Sequence, residues 1–267
     1  MKNKLLKICQ FLEHGLVERE TPVRLSLLAA LSGEHLLLLG PPGTAKSELA
    51  RKLHHVFDQA QYFERLLTRF SVPEELFGPL SIKALEQDRY QRLTKNYLPE
   101  ASIAFIDEVF KANSAILNSL LSLLNEREFD NGSERIKTPL ICVLAASNEL
   151  PEDDSLLALY DRFLLRYQVD QVSNDNFDAL LDLNSRSPLA LNKNDRLALN
   201  EIVQIQRDSE SIQLSESARQ LLKDFRKYLD EQKIYVSDRR WRKLLKILKV
   251  AACSNQQSVI NQYDCAM

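Results

Sequence analysis

A turn rich in glycine and proline, followed by a lysine–serine pair, has the chemistry of a phosphate-binding loop. Leu36–Leu39 predict a buried strand before the turn, and a helical pattern begins at Glu48. Backbone N–H groups and a helix N-terminus in such a unit face a triphosphate. We expect Lys46 to contact the β- and γ-phosphates and the Ser47 hydroxyl to ligate Mg²⁺. The nucleotide-binding loop that we predict consists of Gly40, Pro41, Pro42, Gly43, Thr44, Ala45, Lys46 and Ser47.

One position of this loop departs from the usual pattern. Glycine commonly precedes the lysine, and Ala45 stands there instead. Because this residue lies where the helix begins, we expect a small side chain with a helical φ angle to be tolerated. The alternative is an ordinary strand–turn–helix corner with a single lysine. Two of the six glycines in the chain fall in the loop, which favours phosphate binding.

Two adjacent carboxylates follow another apolar strand, predicted over 101–106. Asp107 and Glu108 are costly to bury there unless their charge is used. Ligands of parallel α/β folds bind at the carboxyl ends of strands. We therefore expect Asp107 to complete the Mg²⁺ site and Glu108 to orient or deprotonate the attacking water. The alternative, that Asp107 caps the next helix, is weakened by the phosphate loop upstream.

A polar residue also follows the buried strand predicted over 139–146. At the end of a strand next to the phosphate loop, Asn148 can hydrogen-bond the γ-phosphate or the attacking water. The alternative is an asparagine that starts a turn before Pro151. The sequence leaves both interpretations open.

The elements that must position these residues alternate between strand and helix patterns. Five parallel strands are predicted over 36–39, 61–67, 101–106, 139–146 and 163–169. This alternation predicts a doubly wound α/β sheet flanked by helices, which we assign to residues 1–170. After Asp170 the patterns are helical, with Asp195, Ser215 and Ser237 as candidate caps. We assign residues 171–267 to a separate small all-α lid domain.

Three further stretches leave alternatives open. Leu16, Val17 and Glu18 either line an adenine pocket or pack between helices. The Asn-Gly pair within 128–133 predicts a hairpin that points towards a central pore or partner, or a plain solvated turn. Four cations begin the last helix, where they oppose its dipole, so an anion binds there or the side chains extend into water.

Bulk composition narrows the class of protein. The chain has 267 residues, a net charge of −2 and a pI near 6.2, which speaks against a nucleic-acid partner. Its four cysteines show no CxxC pairing, as in a reduced compartment. The N-terminus lacks the apolar core of a signal peptide, and no apolar run approaches the roughly 20 residues of a membrane span. We expect a cytoplasmic protein.

The motifs together resemble a known family. In order, the chain contains GPPGTAKS, IAFIDE, AASN, LYDRF and VSDRRW. This set resembles the MoxR group of AAA+ ATPases over residues 1–252. The bacterial regulatory ATPase variant A branch is the most similar, through FSVPEELFGPLS, YLPEA, ASNELPEDDS and ALYDRF.

The resemblance implies a P-loop ATPase fold, with ATP and Mg²⁺ bound between the subunits of a hexameric ring. It also implies a role for each residue of the site. Lys46 and Ser47 would belong to the Walker A loop, and Asp107 and Glu108 would form Walker B. Asn148 would be sensor 1, and Arg162 would be an arginine finger that reaches the γ-phosphate of the neighbouring subunit. Arg239 would be sensor 2, with Arg240 as the near alternative.

Function and partners also follow from the resemblance. It implies a chaperone-like remodelling ATPase that works with a protein carrying a von Willebrand factor A domain. The similar branch also contacts a lysine decarboxylase through a further C-terminal domain. The sequence stops near the end of the lid, as in a truncated form, which leaves the decarboxylase contact in doubt. Alternatives are a nucleotide-switched scaffold with little hydrolysis, a chelatase-type subunit and a DNA-associated motor.

Overall fold

The computed structural model describes residues 1–151, 153–185 and 189–265. The strands are β1 Leu36–Leu39, β2 Tyr62–Leu66, β3 Ile103–Asp107, β4 Glu128–Asn131, β5 Glu134–Lys137, β6 Cys142–Ser147, β7 Leu165–Gln168, β8 Gln213–Leu214 and β9 Val259–Ile260. The helices are α1 Lys2–Glu13, α2 Glu20–Ser32, α3 Lys46–Val56, α4 Pro73–Phe77, α5 Ile82–Leu85, α6 Ser114–Glu126, α7 Asp154–Arg162, α8 Phe177–Leu181, α9 Leu199–Glu210, α10 Glu216–Glu231 and α11 Asp238–Ser254.

Five strands form one parallel sheet in the order β2-β3-β6-β1-β7. The predicted five-stranded α/β fold is therefore confirmed. The phosphate-loop strand β1 lies between β6 and β7, so its carboxyl end is next to the ends of both. Parallel pairing places the loops after β1, β3 and β6 at one edge of the sheet.

Helices cover both faces of the sheet, because alternate residues of each strand point to opposite sides. Leu36 and Leu38 pack in an apolar cluster with residues of α1, α2 and α3. Leu37 packs on the other side with residues of α6 and α7. Each fully buried leucine contributes about 1.5–3 kcal/mol relative to an exposed one. A run of four leucines suits a strand that is buried on both faces.

The C-terminal part is helical, with two corrections to the predicted pattern. Ser215 and Ser237 cap α10 and α11 as expected. Asp195 caps no helix, because α9 begins at Leu199 and Asp195 accepts a hydrogen bond from Lys7 Nζ at 2.9 Å. A two-residue parallel pair, β8 with β9, interrupts the all-helical pattern. Residues 266–267 and Glu152, which belong to predicted segments, lie outside the described residues.

Two buried or half-buried ion pairs hold the start of α11 at the amino end of the sheet. Lys243 Nζ lies 2.6 Å from Glu34 Oε2, and the Glu34 side chain is only 6% exposed. Arg240 lies 3.1 Å from Asp161. Glu34 precedes β1 and Asp161 precedes β7, so both partners lie at the edge opposite the phosphate loop. The position of α11 therefore separates its basic first turn from that loop.

The predicted hairpin is confirmed as β4 and β5, joined at Gly132 and Ser133. The segment before β3 forms α5 and one antiparallel bridge, Leu80 with Arg92. Asn131 joins the two insertions: its Oδ1 accepts from the Arg92 N–H at 2.6 Å and its Nδ2 donates to the Arg92 carbonyl at 3.2 Å. The Asn131 side chain thus makes the two hydrogen bonds that the backbone of a neighbouring strand would otherwise make with Arg92. Across the described ranges, no helix combines the length and the apolar character needed to cross a bilayer.

Candidate active site

The phosphate loop leaves the carboxyl end of β1 in a conformation that requires glycine at Gly40. Its φ is 145°, and a Cβ atom there would overlap the carbonyl oxygen of Val169. The Gly40 N–H donates to the Ser147 carbonyl at 3.0 Å, which joins the loop to β6. Lys46 is 7% exposed, and its Nζ donates to the carbonyl oxygens of Gly40 at 2.8 Å and Pro41 at 2.7 Å. Burial lowers the pKa of Lys46, an effect that Asp107 and Glu108 oppose.

The expectation for Ala45 is wrong. Its φ is +65° and its ψ is 21°, in the left-handed region rather than the right-handed helical one. A left-handed conformation costs an L-residue roughly 1–2 kcal/mol, which explains why this position is usually glycine. Helix α3 starts only at Lys46, one residue later. The alanine is therefore accommodated with strain rather than as the first residue of the helix.

The two carboxylates and the asparagine meet at the ends of neighbouring strands. Glu108 has a left-handed φ of 52°, and Asn148 Nδ2 donates to its Oε1 at 2.7 Å. Burial, followed by the charge of Asp107, raises the pKa of Glu108. A carboxylate with a raised pKa accepts a proton from water more readily at neutral pH. Asn148 therefore positions Glu108 as well as lying at the end of β6.

One cavity of about 420 Å³ brings most of the predicted residues together. Ser47 and Asp107 supply a hydroxyl and a carboxylate, the hard oxygen ligands that Mg²⁺ prefers, so the donor set fits this ion. Gly40 and Pro41 form the base of the loop, where they bond Lys46. The cavity is lined by Pro42, Gly43, Thr44, Ala45, Lys46, Ser47, Glu48, Arg51, Asp107, Glu108 and Asn148.

A second cavity, of about 400 Å³, lies on the other side of the same loop. The predicted Leu16 and Val17 line it, whereas the Glu18 carboxylate bonds Ser173 and Asn176 instead. Its apolar walls suit a nucleotide base. The apolar residues that line this base cavity are Leu16, Val17, Pro42, Ala45, Val172, Phe177, Leu180 and Leu183.

The three predicted arginines lie together at the opposite edge of the sheet. Arg162 ends α7 just before β7, and Leu165 pairs with Leu36 at the amino end of β1. Burial, and then the charge of Arg239, lowers the pKa of Arg162. Arg240 bonds Asp161, the residue next to Arg162. The structure brings these arginines to one another and not to the phosphate loop of their own chain.

Models of known protein families match two successive parts of the chain. Residues 3–207 match a family model described as the MoxR domain of MoxR–vWA–β-propeller ternary systems. The chain belongs to the MoxR family of AAA+ ATPases. Residues 217–267 of this MoxR-family chain match the AAA lid domain.

Two uncharacterised proteins of Methanocaldococcus jannaschii are similar to this MoxR-family chain. One is 44% identical over 256 residues, which are 95% of the chain and 66% of the relative. The other is 42% identical over 264 residues, which are 97% of the chain and 69% of the relative. The chain thus spans about two thirds of the length of each.

A solved structure from Cytophaga hutchinsonii, described as that of a candidate ATPase, has the same fold. Its TM-score is 0.76 at 18% identity, and the match covers 99% of this MoxR-family chain and 84% of the other. Together with the family match, this similarity places the five-stranded sheet and helical lid in the AAA+ fold.

Sequence reasoning missed two arginines beside the loop. Arg51 lines the phosphate cavity and makes two hydrogen bonds to Glu64, at 2.9 and 2.8 Å. It lies four residues after Ser47 on α3, so helical spacing could have identified it. Arg19 is 8% exposed and donates to the carbonyl oxygen of Thr44 at 3.2 Å. Because Arg19 bonds backbone carbonyl oxygens, which every residue has, no pattern of side chains in the sequence identifies it.

Proposed function

We propose that this chain hydrolyses ATP at an interface between subunits of a ring. The observation that carries the proposal is the convergence of Lys46, Ser47, Asp107, Glu108 and Asn148 on one cavity at the carboxyl edge of the sheet. These side chains come from three strand ends that are distant in sequence. A lysine, a hydroxyl, two carboxylates and an amide are the groups that phosphoryl transfer to water requires.

Each residue of the site would have a separate role in hydrolysis. Lys46 would exchange its bonds to Gly40 and Pro41 for phosphate oxygens and stabilise their developing charge. Glu108, with a raised pKa and held by Asn148, would orient the attacking water and accept its proton. Ser47 and Asp107 would hold Mg²⁺, which neutralises charge on the β- and γ-phosphates when bound.

The arginines would complete the site of a neighbouring subunit. Arg162 and Arg239 lie at the edge of the sheet opposite the chain's own loop, so we assign both to catalysis in trans. Arg240, paired with Asp161, would position this group rather than contact phosphate. An arginine supplied in trans contributes roughly 10³- to 10⁵-fold to turnover in related chemistry.

We further propose a hexameric, chaperone-like remodelling machine with a partner that carries a von Willebrand factor A domain. The matching family is described in systems that contain such a domain, which supports the partner. A 105-residue match at 31% identity to the chaperone ClpB of Dichelobacter nodosus supports the remodelling role. The four cysteines form no disulfide, which is consistent with a cytoplasmic location. Membership of the regulatory ATPase variant A branch, with its lysine decarboxylase contact, stays a prediction.

Substitution of Glu108 tests the proposal. We expect Glu108→Gln to bind a fluorescent ATP analogue with unchanged affinity and to release phosphate about 10²- to 10⁴-fold more slowly. The matched control is Glu149→Gln, which neutralises a neighbouring carboxylate that pairs with Lys111 outside the cavity.

Two outcomes would contradict the proposal in different ways. Full turnover by Glu108→Gln would remove this residue from the mechanism. Phosphate release by the wild-type protein no faster than the spontaneous hydrolysis of ATP would favour a nucleotide-switched scaffold instead.

A further inference from the structure

The buried guanidinium of Arg19 joins three segments of the backbone. It donates to the carbonyl oxygens of Thr44 at 3.2 Å, Asp170 at 2.7 Å and Glu18 at 2.8 Å. Thr44 belongs to the phosphate loop, and Asp170 follows β7 where the chain leaves the sheet. A planar, rigid donor with several fixed acceptors holds those acceptors at a set separation. Arg19 therefore links the loop to the segment that follows β7.

The preceding residue makes a second connection to the same segment after β7. Glu18 accepts hydrogen bonds from the Ser173 N–H at 2.8 Å, from Asn176 Nδ2 at 2.7 Å and from the Ser173 hydroxyl. Both carboxylate oxygens are used as acceptors. These bonds lower the pKa of Glu18 to about 2, so the side chain is ionised throughout the neutral range. Glu18 thus supplies an acceptor at the beginning of the turn that leads into α8.

The backbone of Glu18 has a left-handed φ of 56°. A non-glycine residue in this region stores strain that surrounding contacts must offset. Here the contacts are those of Glu18 with Ser173 and Asn176, and those of Arg19 with Thr44 and Asp170. The left-handed turn lets two consecutive residues bond two different parts of the chain.

The base cavity lies between the segments that these two residues join. Leu16 and Val17 form one wall, and Val172, Phe177 and Leu180 form another. The second wall belongs to the segment that Glu18 holds through Ser173 and Asn176. A ligand in this cavity therefore contacts both sides of the connection.

We propose that Glu18 and Arg19 are positioning residues that couple nucleotide binding to the placement of the segment after β7, residues 170–181. Arg19 keeps the phosphate loop and Asp170 at a fixed separation, and Glu18 holds the 173–176 turn against the base cavity. The inference rests on the proposed function, because it takes the ligand to be a nucleoside triphosphate. Loss of the Glu18 contacts releases one wall of the base cavity without disturbing Lys46 or Glu108.

The experiment combines nucleotide affinity, steady-state kinetics and hydrogen exchange in the full chain. Glu18→Gln replaces one acceptor oxygen by an N–H₂ group that cannot accept from Ser173 or Asn176. We expect the Kd for a fluorescent ATP analogue and the KM for ATP to rise about tenfold, within the usual range of coupling between sites. We expect kcat to change less than about twofold, because the catalytic groups are untouched.

Hydrogen exchange measures the stability of the segment after β7 directly. In the wild-type protein, the ATP analogue should slow exchange at amides 173–181, whereas in Glu18→Gln these amides should exchange rapidly with or without the analogue. Arg19→Lys keeps the charge but not the planar donor and should show the same pattern, with circular dichroism to verify its folding. The matched control is Glu20→Gln, which removes an exposed carboxylate two residues away and should behave like the wild type.

Failure of this inference and failure of the proposed function look different. Wild-type affinity together with wild-type exchange at 173–176 in Glu18→Gln would overturn the coupling. A wild-type protein that binds the analogue but releases no phosphate would overturn the proposed hydrolysis, and the affinity and exchange measurements would still decide the coupling.

Discussion

Mixing two inactive variants, Arg162→Ala and Glu108→Gln, should restore ATP hydrolysis. Residues Leu36–Leu39 of β1 pair with Leu165–Gln168 of β7, and four strand residues span about 10 Å. Arg162 precedes the amino end of this pair, whereas the phosphate loop follows its carboxyl end. We therefore expect Arg162 to serve a different chain from the one whose Glu108 lies beside the loop.

The expected recovery follows from counting interfaces. Loss of the arginine should lower the rate of ATP turnover by about 10³-fold or more. Loss of the base should lower it by about 10²- to 10⁴-fold. In rings assembled at random from equal amounts, about half of the subunits carry an intact Glu108, and about half of their neighbours carry an intact Arg162. One interface in four is then complete, so turnover should reach about a quarter of the wild-type rate by the same trans argument.

The assay is steady-state phosphate release at constant total protein, with mixed rings verified by native mass spectrometry in a slowly hydrolysed ATP analogue. The control mixture is Glu108→Gln with Lys46→Ala. Both of those residues line the same cavity of one chain, so no interface in that mixture is complete. Verified mixed rings with no gain in activity, or a proven monomer with wild-type turnover, would refute the trans assignment.

Three further predictions follow from strain, charge and pH. Ala45→Gly should keep ATP affinity and change the free energy of unfolding by less than about 1 kcal/mol, since relief of left-handed strain offsets glycine's entropy. Ala45→Val should lose binding in the same titration, because a β-branched residue disfavours this φ. Lys243→Met removes the ion-pair partner of the buried Glu34 and leaves it the more distant charges of Lys246 and Arg127. Urea denaturation should show a loss of about 3 kcal/mol, recovered mostly by adding Glu34→Gln. Burial lowers the pKa of His35 well below 6.5, so the unfolded chain binds the proton first. As the pH falls below 6.5, the free energy of unfolding should decrease by up to about 1.4 kcal/mol per pH unit. In His35→Gln, the urea midpoint should lack this dependence on pH.

Local patterns in the sequence were sufficient to predict the sheet and the residues on one side of the site. Apolar runs such as Leu36–Leu39 identify strands that are buried on both faces, and parallel strands place their carboxyl ends at one edge. That geometry explains why Lys46, Asp107 and Asn148 were predicted together. The caps Ser215 and Ser237 were also predicted, because each acts on a backbone N–H three residues away.

Contacts between distant segments were beyond such patterns. The left-handed φ of Ala45 depends on how the loop returns from β1, and a small side chain does not reveal the sign of φ. Asp195 has the composition of a helix cap but pairs with Lys7, 188 residues away in sequence. The pair β8 and β9 has two residues per strand, too few for any alternation to show.

The sequence by itself predicted which groups gather around the phosphate loop, because their positions follow from strand ends and loop composition. Only the tertiary structure showed that the three arginines lie at the opposite edge of the sheet. Ion pairs of α11 with Glu34 and Asp161 hold Arg239 and Arg240 beside Arg162, away from their own loop. The tertiary structure alone also shows the contacts of Arg19, since its partners are backbone carbonyls, and every residue carries one.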